Sequence, residues 1–256
     1  MINKSYKYNI KSLLFYLLFF IISSVAFATD GIKFSNVEDK IEYYKNKYGA
    51  KCLNDKITDN FGNGNDALYG TRNMRTILYG IAYRGGANNY YHKSCKRDNH
   101  NPLPEDGLMN LAKEGFSIAV YLYSRNFDSS KKFIVDTKTK DTLRYLQITG
   151  SNRKTLRKVL ELVSEVINEP EKGPVYFHCW NGWHQSGFIS SAILMQFCGF
   201  SNQQALQYWL ENTDGVNKGY ENVKSLIKNF KPFDDIKIDN KTQSKICPCE
   251  KNKNIK

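Results

Sequence analysis

Prolines are scarce in this 256-residue chain, six in all, and its 17 glycines follow no period, so neither a collagen-like nor a proline-rich disordered architecture is encoded. Six cysteines are too few to build a disulfide miniprotein of this length. They also miss the spacings that redox and metal sites use. Cys247-Pro248-Cys249 is one residue short of a CxxC motif, and no second Cys/His pair stands at zinc-finger distance, so no metal and no cofactor is expected. Internal repeats are absent, and acids are in deficit, 25 Asp and Glu against 37 Lys and Arg. The resulting net charge of +12 favours acidic partners, whether phosphate esters, nucleic acid or anionic lipid, without choosing among them. What remains is a chain 41% apolar and 24% charged, enough to bury a core, at a length that suits one domain with extensions.

There is one long apolar run, Leu13 to Val25; it follows Lys4, Lys7 and Lys11 and leads into Ala26-Phe27-Ala28. A basic start, a short apolar stretch and small residues before Thr29 are the three parts of a secretory signal peptide, and the run falls short of the ~20 residues of a membrane span. Residues 1–28 are read as a signal peptide cleaved near Ala28. The product is an exported protein, periplasmic or secreted, with no stable membrane anchor after cleavage and with its cysteines in an oxidising compartment.

Periodicity places a short amphipathic helix over 36–48 through Val37, Ile41, Tyr44 and Tyr48, then turn chemistry over 59–65. ILYGIAYRGG, from Ile77, reads as one strand running into a glycine turn, followed by a polar loop over 88–106 that carries Lys93, Lys96 and Arg97. Next come a short helix ending at Gly115, strands over 118–123 and 143–148, and a helix capped by Ser151 and stopped by Pro170. Val175 to His178 is a short strand, followed by a helix from about Ser186 to Phe197, one opened by a Ser201/Gln204 capping box, and a last from Tyr220 to Phe230. Alternating strands and helices mean an α/β domain with a largely parallel sheet. From Lys231 onward seven lysines and four acids give a polar basic tail.

The segment Val175-Tyr-Phe-His-Cys-Trp-Asn-Gly-Trp-His-Gln-Ser-Gly187 carries the chemistry. A buried strand ends in a cysteine and turns through a loop into a helix. Backbone N–H groups in such a loop, together with the positive end of the helix dipole, hold a phosphate-sized anion without a charged side chain. The same field favours thiolate over thiol, and a thiolate beside a bound phosphate is a nucleophile.

This segment resembles the His-Cys-x5-Arg-Ser/Thr signature of the cysteine-dependent protein tyrosine and dual-specificity phosphatases. Tyr83-Arg84-Gly85-Gly86, the helix ending at Gly115 and the strand AVYLY are similar to that family's "YRSGQ … L…GI..VINLR" stretch, so that the likeness spans roughly 79–230. It implies a single phosphatase-like α/β domain over 77–230, with 29–76 as an N-terminal extension and 231–256 as the tail. It also implies Cys179 as the nucleophile and Ser186 as the hydroxyl that aids its release, with Trp180, Asn181, Gly182, Trp183 and Gln185 cradling the substrate. The implied partner is a phosphorylated protein or a small phosphate ester such as an inositol phosphate, and not nucleic acid.

Two positions depart from the signature. Gln185 stands where the family has arginine, and the stretch Gln147 to Ser151, where its general-acid aspartate is expected, has no carboxylate. A neutral amide in place of a bidentate guanidinium costs about 10² to 10³ in rate, and a missing general acid about 10² to 10⁴. His184 is the candidate replacement for charge or proton, and Asp136 or Asp141 the candidate acids. The alternative to an enzyme is a pseudophosphatase that binds phosphorylated ligands without turnover. If Cys179 stays reduced, at least one other cysteine is unpaired; Cys198, on an apolar helix, is the expected one, leaving Cys52, Cys95, Cys247 and Cys249 with three possible pairings.

Overall fold

A computed structural model describes residues 31–88 and 101–248. The signal-peptide residues, the basic loop 89–100 with Cys95, and Cys249 lie outside the described residues.

Helix α1 (Val37–Tyr48) begins at Asn36, whose side chain accepts from the Asp39 amide, and ends at Gly49 in the left-handed region. Strand β1 (Thr71–Leu78) turns through Gly80, φ 68°, into antiparallel β2 (Ala82–Ala87). Helix α2 (Glu105–Lys113), β3 (Ile118–Tyr121), β4 (Phe133–Val135) and β5 (Thr142–Gln147) follow, then α3 (Arg153–Asn168) and β6 (Val175–Cys179). Four helices complete the described residues: α4 (His184–Phe197), α5 (Asn202–Glu211), α6 (Glu221–Lys228) and α7 (Asn240–Ile246).

The six strands form one sheet in the order β1-β2-β6-β3-β5-β4. The four inner strands are parallel and the two edge strands antiparallel to their neighbours. One face is covered by α3 to α7 around Phe177, Ile189, Ile193 and Trp209, and the other by α2 and an aromatic-rich cluster with Tyr83, Phe116, Tyr145 and Tyr176. Lys40 of α1, fully buried, donates to the Val166 and Lys172 carbonyls at the C-terminal end of α3, and burial pushes its ammonium down to about 8. The parallel register sets Gly85, Tyr121, Gln147 and His178 side by side, so the C-terminal ends of all four inner strands meet at one rim.

Several expectations are corrected. The segment from Ile77 holds the end of one strand and the start of another, because Gly80 reverses the chain where the apolar pattern runs on unbroken. The sheet therefore begins at Thr71, inside the expected N-terminal extension. Asn152 rather than Ser151 caps α3, through a reciprocal pair with Thr155. The expected tail packs on the domain: Phe233, Ile236 and Ile246 are buried, and the Tyr79 amide donates to the Ile246 carbonyl at 2.8 Å. Cys198 is not free but bonded to Cys247, while Cys52 and Cys179 are free thiols.

Closing a chain segment of 49 residues, the Cys198–Cys247 bridge should contribute about 2–4 kcal/mol. Urea unfolding of a Cys198→Ser/Cys247→Ser variant is expected to show a loss of that size, and an unchanged midpoint would mean that the packed segment holds without it.

Candidate active site

Strand β6 carries Cys179 to the rim with its odd-numbered side chains, Val175 and Phe177, toward the α3–α7 face and its even-numbered ones, Tyr176 and His178, toward the other. Beyond it the loop 180–183 packs directly on β2. The Ala87 amide donates to the Trp180 carbonyl at 2.9 Å, and the Asn73 side chain donates to the Asn181 carbonyl at 2.8 Å. In a trans peptide the next N–H points opposite to the carbonyl, so the bond from Ala87 turns the Asn181 amide away from β2, while Gly86 and Asn181 face each other as an isolated antiparallel bridge. Two glycines allow the approach. A Cβ on Gly86 would sit 2.2 Å from the Trp180 oxygen, and one on Gly182, at φ 78°, would sit 2.7 Å from the Gly85 carbonyl carbon. Helix α4 then starts at Trp183 with no side-chain cap and no acid in its first turn, leaving its leading amides to whatever anion enters.

Cys179 is 8% exposed, with its Sγ 3.5 Å from the Oγ of fully buried Ser186. Its backbone is fixed from the opposite face. The Leu103 amide donates to the Tyr145 hydroxyl at 3.0 Å, that hydroxyl meets His178 Nε2 at 2.8 Å, and His178 Nδ1 meets the Cys179 carbonyl at 3.2 Å. Since a carbonyl only accepts, Nδ1 carries the proton and the Tyr145 O–H donates to Nε2. Burial pushes the His178 imidazole down to about 3, so the ring is a neutral strut, stacked among Tyr121, Tyr145 and Tyr176.

The remaining expected residues divide. Trp180 and Trp183 both lie in the loop; the indole N–H of Trp180 is buried without a partner, while that of Trp183 donates to Asp214 at 3.2 Å. Gln185 is half-buried at the head of α4. His184, the expected replacement charge, is engaged with the segment after α5. Its Nε2 donates to the Val216 carbonyl at 2.6 Å, its ring stacks on Tyr220 at 3.5 Å, and burial, with the nearby Arg84 charge, lowers its basicity.

Asp136 and Asp141 do not reach the site either. They flank the β4–β5 turn before Thr142, at the start of β5, whereas the rim lies at its end, roughly 17–20 Å away for five or six extended residues. Among the described residues the carboxylate bonded to the loop is Asp214. Partial burial pushes it up, but Lys56 at 2.8 Å, Arg75 and the Trp183 N–H outweigh that and hold it below the usual carboxylate range, the wrong state for a general acid. Also among the described residues, no group of three or more His, Cys, Asp or Glu is placed to hold a metal, and no helix is long and apolar enough to cross a membrane.

Sequence reasoning missed Asn73, Asp214 and the His178–Tyr145 pair. The signal for Asn73 was a buried strand, TRNMRT, with three long polar residues, in which Asn73 takes φ 49° and breaks the register.

No family model and no curated protein matches the chain. Among solved structures it is similar to TpbA of P. aeruginosa (16% identity, 61% of this chain and 86% of that one, TM-score 0.39) and to Tk-PTP in the active form (21%, 58% and 92%, 0.38). It is also similar to the core catalytic domain of the PP-IP phosphatase SIW14 from S. cerevisiae (16%, 62% and 86%, 0.40). At such identities the likeness concerns the path of the chain alone. In this chain that path is a single α/β domain whose mostly parallel six-stranded sheet is flanked by helices.

The His178 strut makes the fold acid-sensitive. Its imidazole is held near 3 when folded against ~6.5 when unfolded, so stability is complete above about pH 6.5 and falls by up to about 1.4 kcal/mol per pH unit as pH drops toward 3. Urea midpoints between pH 7.5 and 4.5 are expected to decline more steeply for the wild type than for His178→Phe; equal slopes would contradict a neutral buried ring.

Proposed function

We propose that this chain is a phosphatase-like protein that holds a phosphate monoester in the loop 180–185 and transfers its phosphoryl group to Cys179. The observation that supports this most directly is the pinned loop, whose carbonyls are bonded to β1 and β2 and which leads from Cys179 into a helix N-terminus with no side-chain cap, Cys179 Sγ lying 3.5 Å from Ser186 Oγ in its first turn. In this reading the thiolate attacks phosphorus, a P–S bond forms as the P–O bond breaks, and the leaving oxygen takes a proton from solvent. Water then cleaves the phosphocysteine, and the Ser186 hydroxyl donates to the departing sulfur. Substrates with good leaving groups suit a site without a placed acid. A phosphoprotein or a small phosphate ester fits the cradle chemically.

A second reading has a specific observation in its favour. Gln185 is neutral, and Asp214 is held ionised by Lys56 and Arg75, so both chemical assistants of the signature are lacking among the described residues. That combination suits a pseudophosphatase that retains phosphorylated ligands. We also infer export, supported by the sequence of residues 1–28 and by the Cys198–Cys247 disulfide, which persists in an oxidising compartment; N-terminal sequencing of the mature chain tests it.

With Cys179 reduced, the protein is expected to bind vanadate and to turn over an aryl phosphate, with Cys179→Ser abolishing turnover. Binding without turnover selects the second reading, and calorimetry showing no anion binding at all removes both. Gln185→Arg is expected to tighten oxyanion binding by about 1–3 kcal/mol and to raise aryl phosphate turnover about 10- to 100-fold. An unchanged rate and affinity would mean that the loop is built around glutamine and excludes a guanidinium.

A further inference from the structure

The β1–β2 hairpin carries Arg72, Arg75 and Arg84, none more than 4% exposed. A guanidinium taken out of water is costly unless an anion faces it. Arg75 has Asp214, 3.5 Å away, and shares it with Lys56. Arg84 has no carboxylate among the described residues. It is completely buried, its Nη2 donates to the Asn212 carbonyl at 2.9 Å, and its Nε and Nη1 have no hydrogen-bond partner. Arg75 stands opposite it in the hairpin register, so a second buried cation adds to the imbalance.

The position of Arg84 supplies a reason for this arrangement. In the sheet it lies beside Phe177, two residues before Cys179 on the neighbouring strand. Its side chain runs under α4, where a Cβ on Gly187 would lie 2.9 Å from Nη1. Gly187 closes the first turn of the helix whose leading amides complete the loop, and its lack of a side chain is what admits the guanidinium. The field of Arg84 reaches the loop, since it adds to burial in lowering the basicity of His184.

We propose that Arg84 supplies, from strand β2 beneath the first turn of α4, the positive charge that Gln185 does not bring to the loop. The inference rests on the anion-binding reading of the Cys179 loop. A bound oxyanion is then the counter-charge of the buried guanidinium. Arg84 acts through the helix turn and does not touch the substrate, which makes it a positioning residue.

The test is the vanadate dissociation constant of the reduced full chain in four forms: wild type, Arg84→Met, Arg84→Lys and Arg84→Met/Gln185→Arg. Arg84→Met is expected to weaken binding about tenfold, the effect of a unit charge acting over roughly 10 Å at an effective dielectric near 20. Arg84→Lys keeps the charge and is expected to stay within about threefold of wild type, and arginine at 185 is expected to recover what Arg84→Met loses. Should Arg84→Met not fold, Arg84→Gln retains a donor for the Asn212 carbonyl, loses the charge and carries the same expectation. A folded neutral variant that binds vanadate like the wild type, or an Arg84→Lys as weak as Arg84→Met, overturns the role of Arg84 while leaving the anion site intact. A wild type that binds no vanadate removes the site itself.

Discussion

The contact of two backbones, the loop after Cys179 against the end of β2, is the constraint that the rest of the site depends on. Gly86 and Gly182 approach so closely that neither position has room for a Cβ, and the Ala87 amide and the Asn73 side chain take the outward carbonyls. Peptide geometry then turns the Asn181 amide away from β2. The unusual turn at Asn73, a residue with positive φ inside a buried strand, follows from the same need: the bulge aims its amide at the loop.

The two faces of the sheet divide the remaining work by charge. Beneath one face a neutral histidine, clamped by Tyr145 and surrounded by aromatic rings, sets the backbone of Cys179 without adding charge. Beneath the other, Arg75 and Arg84 lie under the loop and the first turn of α4, with Asp214 alone to answer them among the described groups that pair with them. With a neutral strut on one side and cations on the other, the buried positive charge near the loop is carried by β1 and β2 rather than by the loop itself.

The connection between α5 and α6 links these parts. Asn212 accepts from Arg84, Asp214 from Trp183, and Val216 from His184, so a short segment holds the buried cation and two loop residues at once. Its own anchor is the packing of α4 to α6, to which residues 231–248 add Phe233, Ile236, Ile246 and the disulfide. What looked like a solvated tail from its lysines is therefore part of the support of the helix that ends the loop. Three widely spaced apolar residues and one cysteine outweigh the charged residues between them, which face solvent.

Local chemistry was legible in the sequence because it is set by neighbours along the chain. The strand–Cys–loop–helix of 175–197, the capping box at Ser201, the α/β alternation and the departure at Gln185 all rest on spacing and residue type within a few positions. Contacts between distant segments were not legible. Nothing near Cys198 announces Cys247, and nothing in TRNMRT says which strand it pairs with or that Asn73 meets residue 181. The dismissal of Asp136 and Asp141, the diversion of His184 to Val216 and the placement of Arg84 under Gly187 were decided by the sheet order and by the packing of α4 to α6. The sequence by itself determined that a strand ending in a cysteine leads through a glycine-bearing loop into a helix, with glutamine at the signature's arginine position. Only the tertiary structure decided where charge stands around it, because the position of a buried charge depends on which strands and helices are brought together, and that is a property of the packed whole.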